Sequence, residues 1–262
     1  MTYEDPLVLR TDRADGLTTL TLNRPGQFNS LSKDMLTALQ AQLDAIAASE
    51  SVRVVVVAGA GKAFCAGHDL KEMRANPDKG WMQALFRQCG KLMLTSTQMP
   101  QPVIARVHGI ATAAGCQLVS MCDLAVAADV AKFAVSGINV GLFCSTPAVG
   151  LARNLGRKAA LEMLLTGDFI DAMEAKAKGL VNRVVPADAL DAEVERLAGS
   201  ILAKSAVAVR IGKGMFYEQL EMGLADAYDY ASEVMACNMM SDDAGEGIDA
   251  FMQKRPANYT GR

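Results

Sequence analysis

The run VRVVVVAGA at residues 52–60 restricts the fold more than any other stretch of the chain. Its valines follow one another without the polar alternation of a half-exposed strand, so a strand built from them needs apolar cover on both faces, as in a parallel sheet. The hydrophobic periodicity also predicts a strand at 18–22 and a helix at 32–48, followed by the valine strand at 52–58. These elements make a βαβ unit, which predicts an α/β fold.

The rest of the pattern divides the chain near residue 187. A second amphipathic helix is predicted at 77–97, and further apolar strands are predicted at 102–107 and 123–129. Beyond residue 187 the pattern is helical throughout, at 188–203, 205–220, 224–240 and 242–254. We therefore expect an α/β core at 1–187 and a helical region at 188–262. The apolar and aromatic residues of that region either pack on one another or form subunit contacts, and the pattern leaves both open.

Composition and charge exclude several classes of protein. The six cysteines form no Cys-x-x-Cys pair and no metal-ligand spacing, which favours a reduced compartment and predicts no metal site. The formal charge of -3 argues against a general nucleic-acid binder. No apolar run reaches the roughly 18 residues of a membrane span, and the acidic start MTYEDPLVLRTD carries no recognisable targeting address. We expect a cytoplasmic protein without nucleic-acid or membrane partners.

Two stretches of small residues lie where backbone N–H groups would be free. In KAFCAGHDLKEM, residues 62–73, Asp69 and Glu72 have the spacing of a capping box, which predicts a helix beginning at Asp69. Ala66 and Gly67 allow another group to approach the backbone closely, beside the N–H of His68. Asp69 itself is expected to act as a helix cap.

A second stretch, GIATAAGCQL at 109–118, repeats this arrangement. We interpret it as a tight turn entering a helix, with Ala113, Ala114 and Gly115 leaving room for a ligand. The Ala114 N–H would be one of the unsatisfied donors of a helix N-terminus. Either stretch alone is compatible with ordinary strand-to-helix packing, but two such donors directed at one point would make an oxyanion hole.

The stretches NRPGQFNSLS, KAFCAGHDLKEM, HGIATAAGCQLVSMCDLAVAA and EGIDAFMQKRPANYTGR resemble, in this order, the signatures of the crotonase or enoyl-CoA hydratase/isomerase superfamily. The resemblance implies a ClpP-like spiral of ββα units, with the C-terminal helices closing trimers or dimers of trimers. It also implies that the N–H groups of His68 and Ala114 hold the carbonyl of an acyl-CoA thioester. Coenzyme A would then enter as part of the substrate, and no permanently bound cofactor is expected.

The resemblance also implies where the coenzyme lies. It would bend around the first loop and the neighbouring strand end, against Phe28, Ala66, Gly67, Asp69, Leu70 and Ile110. In the C-terminal helix, Phe251 and Lys254 match positions near the same groove. For Lys254 the alternative is a solvated helix face.

The chain departs from this pattern at the two glutamates that hydratases of the superfamily use to handle water. Gln117 and Gly137 stand at the corresponding positions, and neither side chain can exchange protons near neutral pH. Ordinary hydration is therefore not expected. Gln117 either orients a water or the substrate by hydrogen bonds, or satisfies nearby backbone groups, and the sequence leaves both open.

Two other side chains offer substitute chemistry. The imidazole of His68 has a pKa suited to proton transfer, although we expect its side chain to point to solvent. Cys144 matches an aspartate used by one synthase branch of the superfamily, and it is either a nucleophile or, as we expect, a small buried apolar group. We interpret His108 as structural. Details such as NVGLFCSTP and GHDL resemble a divergent subgroup, the enoyl-CoA hydratase domain-containing protein 3 group.

Three functions follow from this interpretation. The first is an acyl-CoA-binding protein of the enoyl-CoA hydratase/isomerase class, nominally a lyase, that stabilises a thioester enolate. The second is a catalytically silent acyl-CoA-binding subunit. The third is a thioester hydrolase or other lyase that uses His68 or Cys144.

Overall fold

The structure is a computed structural model that describes residues 5–262. Residues 1–4 lie outside the described residues. They are the first part of the segment in which no targeting address is recognised. The strands are β1 Val8–Asp12, β2 Leu17–Leu22, β3 Val54–Gly59, β4 Ala63–Cys65, β5 Val103–Val107, β6 Ile110–Thr112, β7 Leu124–Ala128, β8 Lys132–Ala134, β9 Ile170–Asp171 and β10 Arg183–Val185. The helices are α1 Lys33–Ala47, α2 Leu70–Ala75, α3 Lys79–Gln98, α4 Ala114–Met121, α5 Ser145–Asn154, α6 Arg157–Thr166, α7 Ala172–Ala177, α8 Leu190–Leu202, α9 Ala206–Gln219, α10 Leu224–Met239 and α11 Asp242–Gln253.

The larger sheet is built around the valine strand. Its order is β1-β2-β3-β5-β7-β10, and all neighbours are parallel except the antiparallel pair β1 and β2. Val55 and Val57 enter the main core with α1 and α3, whereas Val54 and Val56 enter a second core beneath α8. The uninterrupted apolar run is therefore explained, because both faces of β3 are covered.

A smaller sheet, with the order β4-β6-β8-β9, generates the spiral. Each turn places one strand in the larger sheet and the next in the smaller sheet, as β3 and β4, β5 and β6, and β7 and β8 show. The predicted α/β spiral of ββα units is confirmed. Residues 110–112, interpreted as part of a turn, instead form β6 between β4 and β8.

The predicted helices near the core agree with the structure to within two residues. Ser32 caps α1 by accepting a hydrogen bond from the Met35 N–H, and the side chains of Leu36, Leu39, Leu43 and Ile46 are buried. The second helix, α3, begins at Lys79 and not at residue 77, because the Asp78 carboxylate accepts the Trp81 N–H and so fixes the N-cap. None of the helices in the described part of the chain has the length and hydropathy of a membrane span.

The four C-terminal helices form as predicted, and a buried ion pair fastens one of them to the core. The Lys213 ammonium on α9 donates to the Asp123 carboxylate at 2.7 Å and to the carbonyls of Ser96 and Gln101, each at 2.8 Å. Tyr217 donates its hydroxyl to the same carboxylate at 2.8 Å. Burial lowers the pKa of Lys213, and the adjacent Asp123 opposes that shift.

We expect Lys213→Met to lower the free energy of unfolding by about 3 kcal/mol, because the substitution leaves a mostly buried carboxylate without its cation. Lys178→Met is the matched control, since Lys178 pairs with the exposed Glu162 and Glu174, and its loss should be below about 1 kcal/mol. Urea unfolding of both variants measures the difference. Equal losses would contradict this role of the buried pair.

Candidate functional site

A cavity of about 300 Å³ lies at the carboxyl ends of β4, β6 and β8. Parallel strands commonly offer ligand sites at this end, where the loops that leave the sheet converge. The wall is mainly apolar and contains no Asp, Glu, Lys or Arg among residues 5–262; its members are Ala66, His68, Leu70, Met73, Phe86, Ala113, Ala114, Ser136, Gly137, Val140, Leu142, Phe143, Cys144, Ser145, Thr146 and Pro147.

The loop after β4 is held by Asp69. Its carboxylate accepts the N–H groups of Lys71 at 3.0 Å and Glu72 at 3.2 Å, and it also accepts a hydrogen bond from Arg24 at 2.8 Å. Burial alone would raise the pKa of Asp69, but these hydrogen bonds lower it. The predicted cap is present, although α2 begins at Leu70. The second hydrogen bond of the predicted capping box, from the Asp69 N–H to the Glu72 carboxylate, does not form. Glu72 instead accepts the N–H of Lys33 at the start of α1.

The loops after β4 and β6 come together with almost no space between them. Gly67 has φ of +87°, and a Cβ built on it would lie 2.8 Å from the Ala113 Cβ and 3.0 Å from the Ala114 nitrogen. A Cβ on Gly115 would lie 2.1 Å from the Cys65 carbonyl oxygen. Ala113 has φ of 50° and ψ of -121°, a conformation that costs a residue with a side chain of the order of 1–3 kcal/mol.

This approach brings His68 and Ala114 to the wall of the same cavity. Ala114 is the first residue of α4, so its N–H has no partner inside the helix. Throughout residues 5–262, neither the His68 N–H nor the Ala114 N–H donates a hydrogen bond to a protein acceptor. Both residues therefore line the cavity and have backbone N–H groups without a protein acceptor.

The His68 side chain turns inward, contrary to the expectation that it points to solvent. Its Nδ1 lies 3.2 Å from the Leu31 carbonyl oxygen, and the ring meets Phe86 edge-on with centroids 5.5 Å apart. Burial lowers the pKa of His68, and the hydrogen bond to Leu31 opposes the shift. Packing of α3 against the loop explains the difference, since Phe86 offers the imidazole an apolar neighbour.

The two positions that replace the glutamates are both enclosed. Gln117 is buried on α4 outside the cavity wall, and its side-chain Oε1 has no hydrogen-bond partner in the described part of the chain. The interpretation that Gln117 satisfies nearby backbone is therefore wrong. Gly137 lies on the wall, where a Cβ would meet the Leu142 carbonyl oxygen at 2.6 Å and the Cys144 Sγ at 2.7 Å.

Cys144 is a buried thiol on the same wall. Burial raises its pKa, while a hydrogen bond from the Gly137 N–H acts in the opposite direction. The side chain is 7% exposed, in agreement with the expected small buried group. The raised pKa disfavours the thiolate that nucleophilic attack requires.

The remaining candidate residues divide into two locations. Phe28 and Ile110 are exposed next to the cavity loops, since the Phe28 carbonyl accepts the Ala66 N–H and Ile110 pairs with Ala63. Phe251 is exposed on α11 and borders a separate depression with Tyr259, and Lys254 ends the same helix in a left-handed conformation. Within this chain, α11 does not reach the cavity wall.

Several wall residues were not identified from sequence. Met73, Phe86 and Leu142 come from α2, α3 and the turn before α5, and their local patterns do not distinguish them from core residues. His108 is held at a strand end by a 2.9 Å contact with the Gly61 carbonyl, as expected for a structural residue. Among residues 5–262, no three His, Cys, Asp or Glu side chains cluster in a way that could hold a metal ion.

Comparison with known sequences gives a consistent family. The model of the family described as "Enoyl-CoA hydratase/isomerase" matches residues 12–262. Enoyl-CoA hydratase domain-containing protein 3, mitochondrial, from Rattus norvegicus is 44% identical over 251 residues, covering 96% of this chain and 84% of the relative. The probable enoyl-CoA hydratase echA8 of Mycobacterium tuberculosis is 36% identical, and the alignment covers 100% of this chain and 100% of the relative.

Solved structures agree with this result. An enoyl-CoA hydratase from Mycobacterium smegmatis superposes with a TM-score of 0.96 at 58% identity, covering 97% of this chain and 99% of the other. Human enoyl-CoA hydratase domain-containing protein 3 gives a TM-score of 0.93 at 43% identity, covering 97% and 100%. The resemblance to that subgroup is confirmed.

The predicted cytoplasmic location is wrong. The matching proteins from rat, mouse, frog and human all carry the designation mitochondrial in their names. The composition and the start of the chain had favoured a reduced compartment without a targeting address, and neither observation separates the cytoplasm from the interior of an organelle.

We expect Gly137→Ala to lower the free energy of unfolding by about 1–3 kcal/mol, because the added methyl group overlaps the Leu142 carbonyl and the Cys144 sulfur. Gly90→Ala on α3 is the control: its Cβ would meet nothing within 4 Å, and helix propensity should raise stability by about 0.5–1 kcal/mol. Chemical denaturation tests both. If Gly137→Ala is neutral, the wall has room for the missing carboxylate.

Proposed function

Because the chain belongs to the enoyl-CoA hydratase/isomerase family, we propose that it binds an acyl-CoA thioester and stabilises the enolate of that thioester. The thioester carbonyl would occupy the cavity at the ends of β4, β6 and β8. Its oxygen would accept hydrogen bonds from the N–H groups of His68 and Ala114. The observation that carries this proposal is that both residues lie on one cavity wall with N–H groups free of protein acceptors.

Electrostatics supports this use of the two amides. An enolate places much of its negative charge on the former carbonyl oxygen, and the wall around it is largely apolar. Preoriented donors act more strongly in such surroundings than in water, and one oxyanion donor typically contributes about 2.7–4 kcal/mol. The N–H of Ala114 also lies at a helix N-terminus, where partial positive charge collects.

Water addition is not the reaction we propose. Hydration needs a side chain that removes a proton from water, and the described cavity wall has no carboxylate. The loss of one positioned acid or base costs roughly 10² to 10⁴ in rate. An amide at Gln117 and a glycine at 137 would thus leave hydration slow, while enolate stabilisation requires neither.

Gln117 retains a proposed role in holding a water or part of the substrate. A buried amide oxygen without a partner costs about 1–3 kcal/mol, and this cost is removed if a bound molecule donates the missing hydrogen bond to Oε1. Gln117 lies one helical turn from Ala114 on α4, which is compatible with a bridging water.

The coenzyme moiety is proposed to run outward from the cavity along the loop after β4. The small side chain at Ala66 and the exposed side chains of Phe28, Leu70 and Ile110 are compatible with such a path. Gly67 and Asp69 would shape the loop beneath it. Phe251 on α11 and Lys254 at its C-terminal cap do not reach the cavity wall of this chain, so their contribution would come from the neighbouring subunit of an oligomer.

A homotrimer or a dimer of trimers is proposed on the basis of the exposed apolar side chains on the last helices. These side chains are large and lie on successive helices; they include Phe216, Leu220, Leu224, Tyr228, Met235, Met239, Met240 and Met252. Contact with other subunits would remove this surface from water.

The second candidate is a catalytically silent acyl-CoA-binding subunit. The lack of carboxylates on the described cavity wall favours it. It differs from the main proposal in one measurable respect, because a silent subunit would bind acyl-CoA without labilising the hydrogens next to the thioester carbonyl.

We expect Ala114→Pro to slow exchange of the α-hydrogens of butanoyl-CoA in D₂O by about 10² to 10³, as for the loss of one oxyanion donor. Proline is tolerated at the first residue of a helix, so the substitution removes the N–H without removing an internal helix bond. Because the loop after β4 closely approaches the Ala114 nitrogen, circular dichroism and urea unfolding must first show that the variant keeps the native fold. Ala206→Pro, at the first residue of α9, is the matched control and should exchange at the wild-type rate. Mass spectrometry follows the deuterium, and calorimetry follows binding.

Wild-type protein that binds butanoyl-CoA without any exchange would contradict enolate stabilisation and support the silent subunit. Rapid hydration of 2-butenoyl-CoA would contradict the inference from the missing carboxylates. An Ala114→Pro variant that exchanges at the wild-type rate would remove the amide from the proposal.

A further inference from the structure

Large apolar side chains stand at the mouth of the cavity. Val140, Leu142 and Phe143 line its wall, yet they are 67%, 43% and 40% exposed to solvent. They lie close together in the segment between β8 and α5, and we call these three residues the apolar rim. Single exposed apolar residues are common on protein surfaces, whereas a group of them beside a cavity marks a surface that binds an apolar partner.

Backbone hydrogen bonds fix the rim. The Leu142 N–H donates to the Gly137 carbonyl and the Gly141 N–H donates to the Ile138 carbonyl, both at 3.0 Å. Gly141 has φ of +77°, a left-handed conformation that turns the chain between Val140 and Leu142. The rim is therefore a hydrogen-bonded turn, and its backbone presents the three side chains at the cavity mouth.

Another part of the cavity is enclosed. Met73, Cys144 and Pro147 line the same wall and are buried. The wall thus passes from buried side chains to the half-exposed apolar side chains of the rim. An occupant that matches this change is an elongated apolar group with one part enclosed and the other part at the surface.

The volume of the cavity sets the size of that group. An engineered cavity of about 150 Å³ in another protein holds one benzene molecule. The cavity here has about 300 Å³, so on the same scale it accommodates about twelve non-hydrogen atoms. When the carbon, oxygen and sulfur of a thioester are subtracted, about nine atoms of an acyl chain remain inside.

The wall also restricts the charge of the occupant. Among residues 5–262, no Asp, Glu, Lys or Arg lines the cavity. A carboxylate carried into this site would lose water without gaining a cation, and an unpaired buried charge is strongly unfavourable. The site therefore selects against acyl groups that carry a charge.

We infer that the substrate of this site carries an uncharged, apolar acyl chain of about 8–12 carbons, an inference that rests on the proposed function. The thioester lies at His68 and Ala114, and the first part of the chain fills the enclosed part of the cavity beside Met73. The distal part lies on the apolar rim and covers the exposed faces of Leu142 and Phe143. Removal of this surface from water favours longer chains over shorter ones.

Calorimetry of the full-length protein with butanoyl-, octanoyl- and dodecanoyl-CoA tests the chain length. Each fully buried CH₂ group raises affinity roughly fourfold. We expect the Kd to fall by about 10² from butanoyl- to octanoyl-CoA, and by about a further tenfold to dodecanoyl-CoA, whose added CH₂ groups are only partly covered on the rim. One equivalent should bind per chain, and butanoyl-CoA should displace it.

Succinyl-CoA tests the charge restriction. It carries a carboxylate where butanoyl-CoA carries its terminal methyl group. We expect its Kd to be at least about tenfold higher than that of butanoyl-CoA, because the cavity offers the carboxylate no cation. Equal affinities would overturn the uncharged substrate class.

Leu142→Gln tests the rim by placing a polar side chain on it. The ratio of the butanoyl-CoA Kd to the dodecanoyl-CoA Kd should fall by about tenfold, whereas general damage to the site would change both Kd values together and keep the ratio. Leu142→Ala removes apolar contact without adding a polar group and should lower the ratio by about threefold. This second variant decides the question if the glutamine variant does not fold.

The matched control is Leu161→Gln. Leu161 is also 43% exposed, but it lies on α6 outside the cavity wall. Its ratio of Kd values should equal that of the wild type. A fall as large as that of Leu142→Gln would show that the chain does not lie on the rim.

The outcomes separate this inference from the proposed function. If butanoyl-CoA undergoes α-exchange but the Kd is the same from butanoyl- to dodecanoyl-CoA, the proposed function stands and the chain-length inference is overturned. A gain that stops at octanoyl-CoA, or an unchanged ratio in both Leu142 variants, would also overturn it, because the rim would then not hold the chain. If none of these esters binds, both proposals fail.

Discussion

The close approach of two backbones at the ends of β4 and β6 is the constraint on which the rest of the site depends. The strands are parallel neighbours, so the loops that leave them emerge side by side. Any side chain at Gly67 or Gly115 would collide with the opposite loop. The small residues are thus a packing requirement, and the same packing brings His68 and Ala114 to the wall of one cavity.

The cavity combines available backbone donors with a nearly neutral wall. The resemblance to the family implied a glutamate at residues 117 and 137. Residue 117 is a buried glutamine, and residue 137 is a glycine packed against Leu142 and Cys144. A Cβ at residue 137 would overlap the Leu142 carbonyl oxygen and the Cys144 sulfur, so a carboxylate there requires these groups to move.

The local pattern predicted long elements well and short ones poorly. The valine strand, α1, α3 and the four C-terminal helices have several turns or an unbroken apolar run, so their periodicity is readable. Strands β4, β6 and β8 have three residues each, too few for any period, although the resemblance to a known family implied them. The inward turn of His68 was missed because it depends on Phe86 and Leu31, which are distant along the chain.

The sequence by itself determined the layered α/β architecture, the family, the two loops of small residues and the replacement of both glutamates. Each of these depends on the local hydrophobic pattern or on the identity of single residues. Tertiary structure decided which groups meet. The His68 ring is buried because α3 packs on the loop after β4. Gly137 has no space for a side chain because Leu142 and Cys144 lie against it. Such contacts join residues far apart in the chain, and their distances follow from how the whole core packs.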